Sequence, residues 1–309
     1  MTERVRLGVD LGGTKIEAIA LSPEGRVLDR RRVATPSSYA GTIAAIKDIV
    51  EAVERAVGVR GLPVGIGTPG SASPITGLWR NSNALFLNGT QFGTDLPAAL
   101  SRPVRIENDA NCFVLSEARD GAAAGHRVVF GVTLGTGLGG GVVFDGRVHR
   151  GKNAVAGEAG HIPLPWPTEH DLPLPVCYCG KSGCMERYVS GGGLVSDYKR
   201  LSGVDVDAAE IVARLGRGDA GARMAFDLFC DRLARLFGVV VTLIDPDIIV
   251  VGGGLSSLPG LTDNVRSLIP RYVFGGEGRV PVVLARHGES SGVRGAAALW
   301  DDDSGEGGG

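Results

Sequence analysis

Strand-length apolar runs broken by glycine open the chain. The stretch RLGVDLGGTKIEAIALSPEGRVLDR (6–30) predicts strand, glycine turn, strand, a second turn at Pro23–Gly25, then strand. Far downstream VFGVTLGTGLGGGVVFDGRVHR (129–150) repeats the order: GVDLGG becomes GVTLGT, and EGRV becomes DGRV. Each half continues with a helix-length apolar-periodic segment, Thr42–Val57 and Ala222–Leu243, and each later has an apolar strand running into glycines, VGIGTPG (64–70) and DIIVVGGGLS (247–256). Between them VRIENDANCFVLSEA (104–118) reads as strand, short turn, helix. Strand-then-glycine punctuation is common to α/β proteins; the matched order is what argues for two similar α/β halves. A cleft between them is the natural ligand site.

Composition narrows the setting. With 309 residues the chain is long enough for two domains. A net charge of -2 leaves no basic footprint for nucleic acid. The chain has no uncharged apolar stretch of about 18 residues, and its first 20 residues carry Arg4, Asp10, Lys15 and Glu17, so a cytoplasmic protein without a membrane partner is expected. Of the 49 glycines, four fall in the tail DDDSGEGGG (301–309), which reads as disordered. Most others follow apolar runs, as turns or as loops that a ligand approaches closely.

The glycine loops carry the first candidate chemistry. Gly135-Thr136-Gly137-Leu138-Gly139-Gly140-Gly141 fits, as text, both the dinucleotide fingerprint and the protein-kinase glycine loop. A Rossmann loop must open a helix, whereas a β-rich run follows here; the kinase reading lacks its V-A-I-K, H-R-D and D-F-G partners. What is left is a glycine hairpin whose backbone N–H groups can cradle phosphate oxygens. DLGGTK (10–15) offers a second, with Asp10 placed to hold Mg²⁺ through water and Gly12, Gly13, Thr14 and Lys15 near the phosphates. Gly253 and Gly254, in the run 252–254, can admit the flat face of a nucleoside.

Together these stretches resemble a family. Asp10-Leu-Gly-Gly-Thr, Leu134-Gly-Thr-Gly and Val251-Gly-Gly-Gly look like the two phosphate motifs and the adenosine motif of the actin and hexokinase ATPase superfamily. GEAGH (157–161) followed by CYCGKSGCMERYVSG (177–191) is similar to the signature of the ROK family of repressors and sugar kinases. The resemblance runs from about residue 6 to 300. It implies two RNase H-like lobes: 1–119 plus 290–309, with the first phosphate motif, the catalytic base and a C-terminal helix, and 120–289, with the second phosphate motif, a zinc loop and the adenosine motif. The first strand begins almost at once, so the helix-turn-helix domain of the ROK repressors is not expected and the kinase branch is implied. By the same resemblance a homodimer is expected.

His161, Cys177, Cys179 and Cys184 supply one imidazole and three thiolates, the set of a closed structural zinc site. The spacings are C-x-C and C-x₄-C, so a C-x-x-C redox motif is absent. Between the histidine and the first cysteine lies IPLPWPTEHDLPLPV, a proline-rich segment that a metal clamp would hold. The ROK kinases bind zinc with these positions. With one ring nitrogen of His161 on zinc, the other is a fixed N–H donor for a sugar hydroxyl. Cys112 and Cys230 read as core.

Asp109 reads either as the N-cap of the helix it begins or as the general base that takes the proton of an attacking hydroxyl. The resemblance favours the base, since the family's Asn-Asp pair, here Asn108 and Asp109, places the base and binds sugar. Glu158 and Glu186 match the two family glutamates that accept hydrogen bonds from the sugar; carboxylates suit polyols because they accept several O–H bonds at once. Gly70 and Asn83 line the other wall, with Trp79 and Phe86 as bulky neighbours. Glu107 and Glu117 read as ordinary surface or turn carboxylates.

The expected function is transfer of the γ-phosphate of ATP, with Mg²⁺, to the 6-hydroxyl of a hexose. The loops NSNALFLNG (81–89), HIPLPWPTEHD (161–171), DYKRLSG (197–203) and YVFGGE (272–277) look closest to the ROK fructokinases and mannokinases, so fructose is the expected acceptor. An N-acetylglucosamine kinase or glucokinase of the same family is the alternative. A sugar-sensing regulator without chemistry would have lost the base, and a chaperone-like or filament-forming ATPase has no place for the zinc loop.

Overall fold

The structure, a computed structural model, describes residues 5–301. Residues 1–4 and 302–309, with nearly all of the acidic glycine-rich tail, lie outside the described residues. The chain divides into two compact units, one of 1–125, 146–156 and 286–309 and the other of 126–145 and 157–285. The segments 120–125, 146–156 and 286–289, which the sequence reading assigned to the second lobe, therefore belong to the first unit.

In the first unit β1 (Arg6–Leu11), β2 (Lys15–Leu21) and β3 (Val27–Ala34) form the expected meander. α1 (Tyr39–Val57) starts where the Ser38 side chain accepts the Gly41 N–H and stops at Gly58 in the left-handed conformation. Then follow β4 (Val64–Thr68), the small hairpin β5 (Ser71–Ala72) and β6 (Trp79–Arg80), α2 (Phe92–Leu100), β7 (Val104–Asn108) and α3 (Asp109–Asp120). The sheet order is β3-β2-β1-β4-β7, antiparallel in the meander and parallel from β1 to β7.

The chain gives β8 (Val128–Leu134) and β9 (Leu138–Phe144) to the second unit and returns to the first for β10 (Arg147–Val148). α4 (Gly191–Ser202), α5 (Ala208–Gly216), α6 (Ala220–Ile244), β11 (Ile248–Gly252), α7 (Leu261–Leu268) and β12 (Val282–Leu284) complete the second unit. Its strands run β9-β8-β11-β12, the first pair antiparallel and the others parallel, which repeats the order β2-β1-β4-β7 of the first sheet. α6 is the central helix of this core: Phe226, Phe229, Leu233, Leu236 and Phe237 are all fully buried against the sheet and its neighbours.

α8 (Ser291–Ala298) belongs to the first unit and lies flat on β1 and β4. The approach needs glycine: a methyl at Gly8 would strike the Val293 and Ala297 backbone, and one at Gly65 the Ala296 backbone. Gly295 in turn lets α8 meet the Cys112 backbone of α3.

Candidate active site

The carboxyl ends of β1, β4 and β7 bring three expected residues to one edge of the first sheet, the edge where open α/β sheets hold their ligands. Asp10 pairs in register with Gly67, and Asn108 with Thr68. Asp109 follows as the first residue of α3. Asn108, not Asp109, caps that helix: its Oδ1 accepts the N–H groups of Ala110 at 2.9 Å and Asn111 at 3.4 Å. The alternative reading of Asp109 as the N-cap is thereby displaced by one residue. Burial raises the pKa of Asp109, against the pull of the Ala110 and Asp109 N–H groups. Burial, then the charges of Asp109 and Glu17, lift Asp10 from 3.8 to about 7, with Lys15 opposing. Two carboxyls that resist joint ionisation fit a site where a cation binds one and a proton passes to the other.

Two carboxylates read as surface groups are internal. Glu107 is 5% exposed; its Oε1 accepts from the Asn108 N–H at 2.8 Å and the Asn111 amide at 3.0 Å, and its Oε2 accepts from Arg150. It braces the turn that carries Asp109. Glu117 is fully buried and accepts from the Arg286 N–H at 2.9 Å, the His287 N–H at 3.0 Å and the Ser291 hydroxyl at 2.8 Å, fixing the C-terminal segment to α3. Burying either charge is tolerable only because these donors meet it, and the Arg150 side chain and the 286–291 segment come from far along the chain.

Gly70 turns the chain after β4 at φ 84°, against the backbone of Arg80–Ser82. Asn83 is exposed on the following loop, which Asn88 holds by a pair of hydrogen bonds to the Ser82 backbone at 3.0 and 2.9 Å. Trp79 does not wall this region. It is 4% exposed, donates from Nε1 to the Pro69 carbonyl at 3.0 Å and packs edge-on against Phe92 in the core, where Phe86 also rests.

In the second unit the Gly135–Gly137 turn joins β8 to β9 and is braced from three directions. Gly191, at the start of α4, donates to the Gly135 carbonyl at 2.8 Å; Glu186 Oε2 accepts the Leu138 N–H at 3.1 Å and leaves no room for a methyl on Gly137; Gly253 abuts the Leu134 backbone. The two glycine motifs of this unit, 135–137 and 253–254, therefore share one corner. Glu186, expected at the sugar, spends one oxygen on the hairpin. Glu158 precedes and His161 ends the short 3₁₀ turn Ala159–His161, where Gly160 allows close contact with the Leu138 carbonyl.

The four expected metal ligands converge. One donor atom from each of His161, Cys177, Cys179 and Cys184 lies within 4.8 Å of every other. Cys179 and Cys184 sulfurs are 3.5 Å apart, and Cys177 Sγ is 3.7 Å from His161 Nδ1. Zinc–ligand bonds of about 2.0–2.3 Å in a tetrahedron put ligand atoms roughly 3.5–3.8 Å from one another, so the set fits the ion. The Lys181 N–H lowers the Cys179 pKa, whereas burial, then Cys179 and Cys177, push Cys184 up to about 12. Protons held by the metal-free cluster are what a bound cation would displace.

The proline-rich segment also has hydrogen-bond partners of its own. Leu164 and Met185 N–H groups bond to the Gly183 and Ile162 carbonyls at 2.8 and 3.0 Å. Asp171, fully buried, accepts from Arg232 Nε at 2.7 Å and Arg235 Nη1 at 2.9 Å, both on α6, and from the Thr168 N–H at 2.7 Å. Burial alone would raise the Asp171 pKa; the Thr168 N–H and the two guanidiniums hold it at about 2. Arg232 reaches on to Asp197 of α4.

The whole of this arrangement, from the first strand to the last helix, matches the ROK family over residues 6–303. The chain belongs to the ROK family. An N-acetyl-D-glucosamine kinase of Escherichia coli O6:H1 is 41% identical over 299 residues, covering 94% of this chain and 98% of that one. The structure of a ROK hexokinase from Thermus thermophilus superposes with a TM-score of 0.84 at 34% identity, over 95% of this chain and 97% of the other. A ROK glucokinase from Streptomyces griseus, solved with glucose and AMPPNP, gives 0.76 at 31% identity, over 96% and 99%. The fold is accordingly the actin-like ATPase fold. No helix among the described residues is long and apolar enough to cross a membrane.

Against this ROK fold the sequence reading missed Arg150, Gly191 and Tyr178. Arg150 and Gly191 act through partners 43 and 56 positions away, Glu107 and Gly135, and local pattern holds no trace of such pairs. Tyr178, whose hydroxyl lies 2.9 Å from His161 Nε2, stood in view between two ligands.

Proposed function

We infer that this ROK sugar kinase phosphorylates the 6-hydroxyl of N-acetylglucosamine with ATP. The observation that carries the acceptor is the 41% identity to an N-acetyl-D-glucosamine kinase over nearly the full length of both chains. The loop similarities that favoured fructose are short beside it. The steric case against an N-acetyl group has little support, because Trp79 is buried in the core and Phe86 packs, half-buried, against it. Glucose is the second reading, supported by the 34% and 31% identities to a hexokinase and a glucokinase.

In this reading Asp109 takes the proton of the acceptor hydroxyl as it attacks the γ-phosphorus. A base whose pKa burial has raised is a better proton acceptor than a free carboxylate, and such bases typically contribute about 10²–10⁴-fold. Asn108 and Glu107 hold the turn that aims it. The backbone of Gly12–Lys15 and of Gly135–Gly137 cradles phosphate oxygens, and Gly253–Gly254 admits the nucleoside. Asp10 would hold Mg²⁺ through water; when bound, the ion neutralises phosphate charge. Glu158 and Glu186 accept from sugar hydroxyls, and His161, Cys177, Cys179 and Cys184 hold a structural zinc beside them.

A coupled ADP-release assay across N-acetylglucosamine, N-acetylmannosamine, glucose, glucosamine, mannose and fructose tests the acceptor. N-acetylglucosamine should give the highest kcat/KM. Glucose or fructose ahead of it would overturn the acceptor and leave the kinase standing.

A further inference from the structure

Arg150 lies just past β10, in the segment 146–156 that belongs to the first unit although stretches of the second precede and follow it. Its side chain is 54% exposed, yet its Nε is held by Glu107 Oε2. The other oxygen of Glu107 accepts from the Asn108 N–H at 2.8 Å and the Asn111 amide at 3.0 Å, so donors on either side of Asp109 close on one carboxylate. Asp109 has the position that this turn gives it.

The segment that carries Arg150 is itself tied down. The Ala156 N–H bonds to the Arg150 carbonyl at 3.2 Å, Arg80 Nη2 donates to the Asn153 carbonyl at 2.7 Å, and the Ser71 hydroxyl donates to the Ala154 carbonyl at 3.3 Å. Ala154 has a left-handed φ of 51°, which such surrounding bonds must maintain. Charge makes the Arg150–Glu107 pair matter: Glu107 pairs in register with Gly67, and Gly67 with Asp10, so Glu107 and Asp10 leave the same face of the sheet two strands, roughly 10 Å, apart. A buried charge left with neutral donors alone is costly, and Glu107 freed of Arg150 would swing toward water and let go of Asn108 and Asn111.

We propose that Arg150 is a positioning residue for the base: by holding Glu107 it fixes the Asn108–Asn111 turn from which Asp109 meets the acceptor hydroxyl. The proposal rests on the reading of Asp109 as that base. Because the Arg150 side chain is half in water, Arg150→Met should fold and melt close to wild type. With the better acceptor of N-acetylglucosamine and glucose, its kcat should fall about ten- to a hundredfold, while the KM for ATP stays within about twofold. Arg150→Lys should restore part of kcat, and in a Glu107→Gln background Arg150→Met should cost less than about twofold more, since the two act in series. A kcat kept in Arg150→Met overturns the role, whatever happens to the melting temperature. A loss carried by the KM for ATP or sugar overturns it too, because Arg150 would then be a substrate contact, and full additivity with Glu107→Gln breaks the route through Glu107. In each of these cases a dead Asp109→Asn leaves the base standing. Should Asp109→Asn turn over like wild type, or wild type phosphorylate neither sugar, this proposal falls with the reading beneath it.

Discussion

The two glycine hairpins began as copies of one pattern and are supported in opposite ways. The first, at Gly12–Thr14, is open: Gly13 and Thr14 are exposed, and an added methyl on Gly13 would meet nothing within 4 Å. Its bonds are local ones, Gly12 to the Lys15 carbonyl at 3.0 Å and Thr35 to the carbonyls of Gly12 and Thr14 at 2.7 and 3.0 Å. What distinguishes it is charge, with Asp10 at its foot and Asp109 close enough to perturb Asp10. The second, at Gly135–Gly137, has no carboxylate of its own and is wedged by Glu186, Gly191 and Gly253. One half of the molecule thus supplies ionisable groups, the other a fixed array of backbone N–H groups. A duplicated loop can divide its labour when the shell around each copy differs.

Removing the ionisable side should have the largest effect. Asp109→Asn is expected to lower kcat by about 10²–10⁴-fold while the melting temperature and sugar Kd hold, because Asn108 caps α3 without it. Turnover within a few-fold of wild type would return Asp109 to a structural role.

A smaller effect separates the hairpins by shape. Gly137→Ala makes the Glu186 carboxylate swing away and breaks its bond to Leu138, at a cost of about 0.5–1.5 kcal/mol in stability and a weakened ATP KM. Gly13→Ala should change stability by less than about 0.5 kcal/mol. Equal losses in denaturant melts of the two variants would erase the contrast.

A further effect concerns pH. The folded pKa of Asp10 is about 7 against an ordinary 3.8, so the fold favours its protonated form. That stabilisation is complete below the ordinary value and is lost as pH rises through about 7. Freed of divalent cations, Asp10→Asn should therefore gain stability over wild type by on the order of 1 kcal/mol per pH unit between those limits, then level off. A flat difference between the two melts from pH 4 to 8 would sink the raised pKa of Asp10.

What could be read in the sequence was local or repeated. The meander of β1–β3, its echo in β8–β9 and the long helices α1 and α6 follow from apolar period and glycine alone. The metal ligands were legible because thiols and an imidazole at short spacing have few other uses. Cys112 and Cys230 are buried, as their apolar settings indicated. Glu107, Glu117 and Asp171 were not legible, since a carboxylate is internal only when donors from elsewhere reach it, and Arg150, Ser291 and Arg232 lie 43, 174 and 61 positions away. Trp79 misled for the same reason: the partner that admits its indole N–H to the core is a backbone carbonyl, invisible in a string of side chains. The fructose expectation rested on loop resemblance, and loops report a pocket only through the walls they turn toward it.

The seating of α8 bears on the order in which the protein is made. β1 and β4 emerge early from the ribosome, but Gly8 and Gly65 present a bare strip that only residues 291–298 can cover. The second unit has all its strands and helices once residue 285 is out, whereas the first still waits for residues 291–298. Synthesis at about 5–20 residues per second imposes a delay of many seconds between those strands and their helix. During it the first sheet has an uncovered apolar face, and a nascent chain stalled short of residue 291 would be a natural client for chaperones.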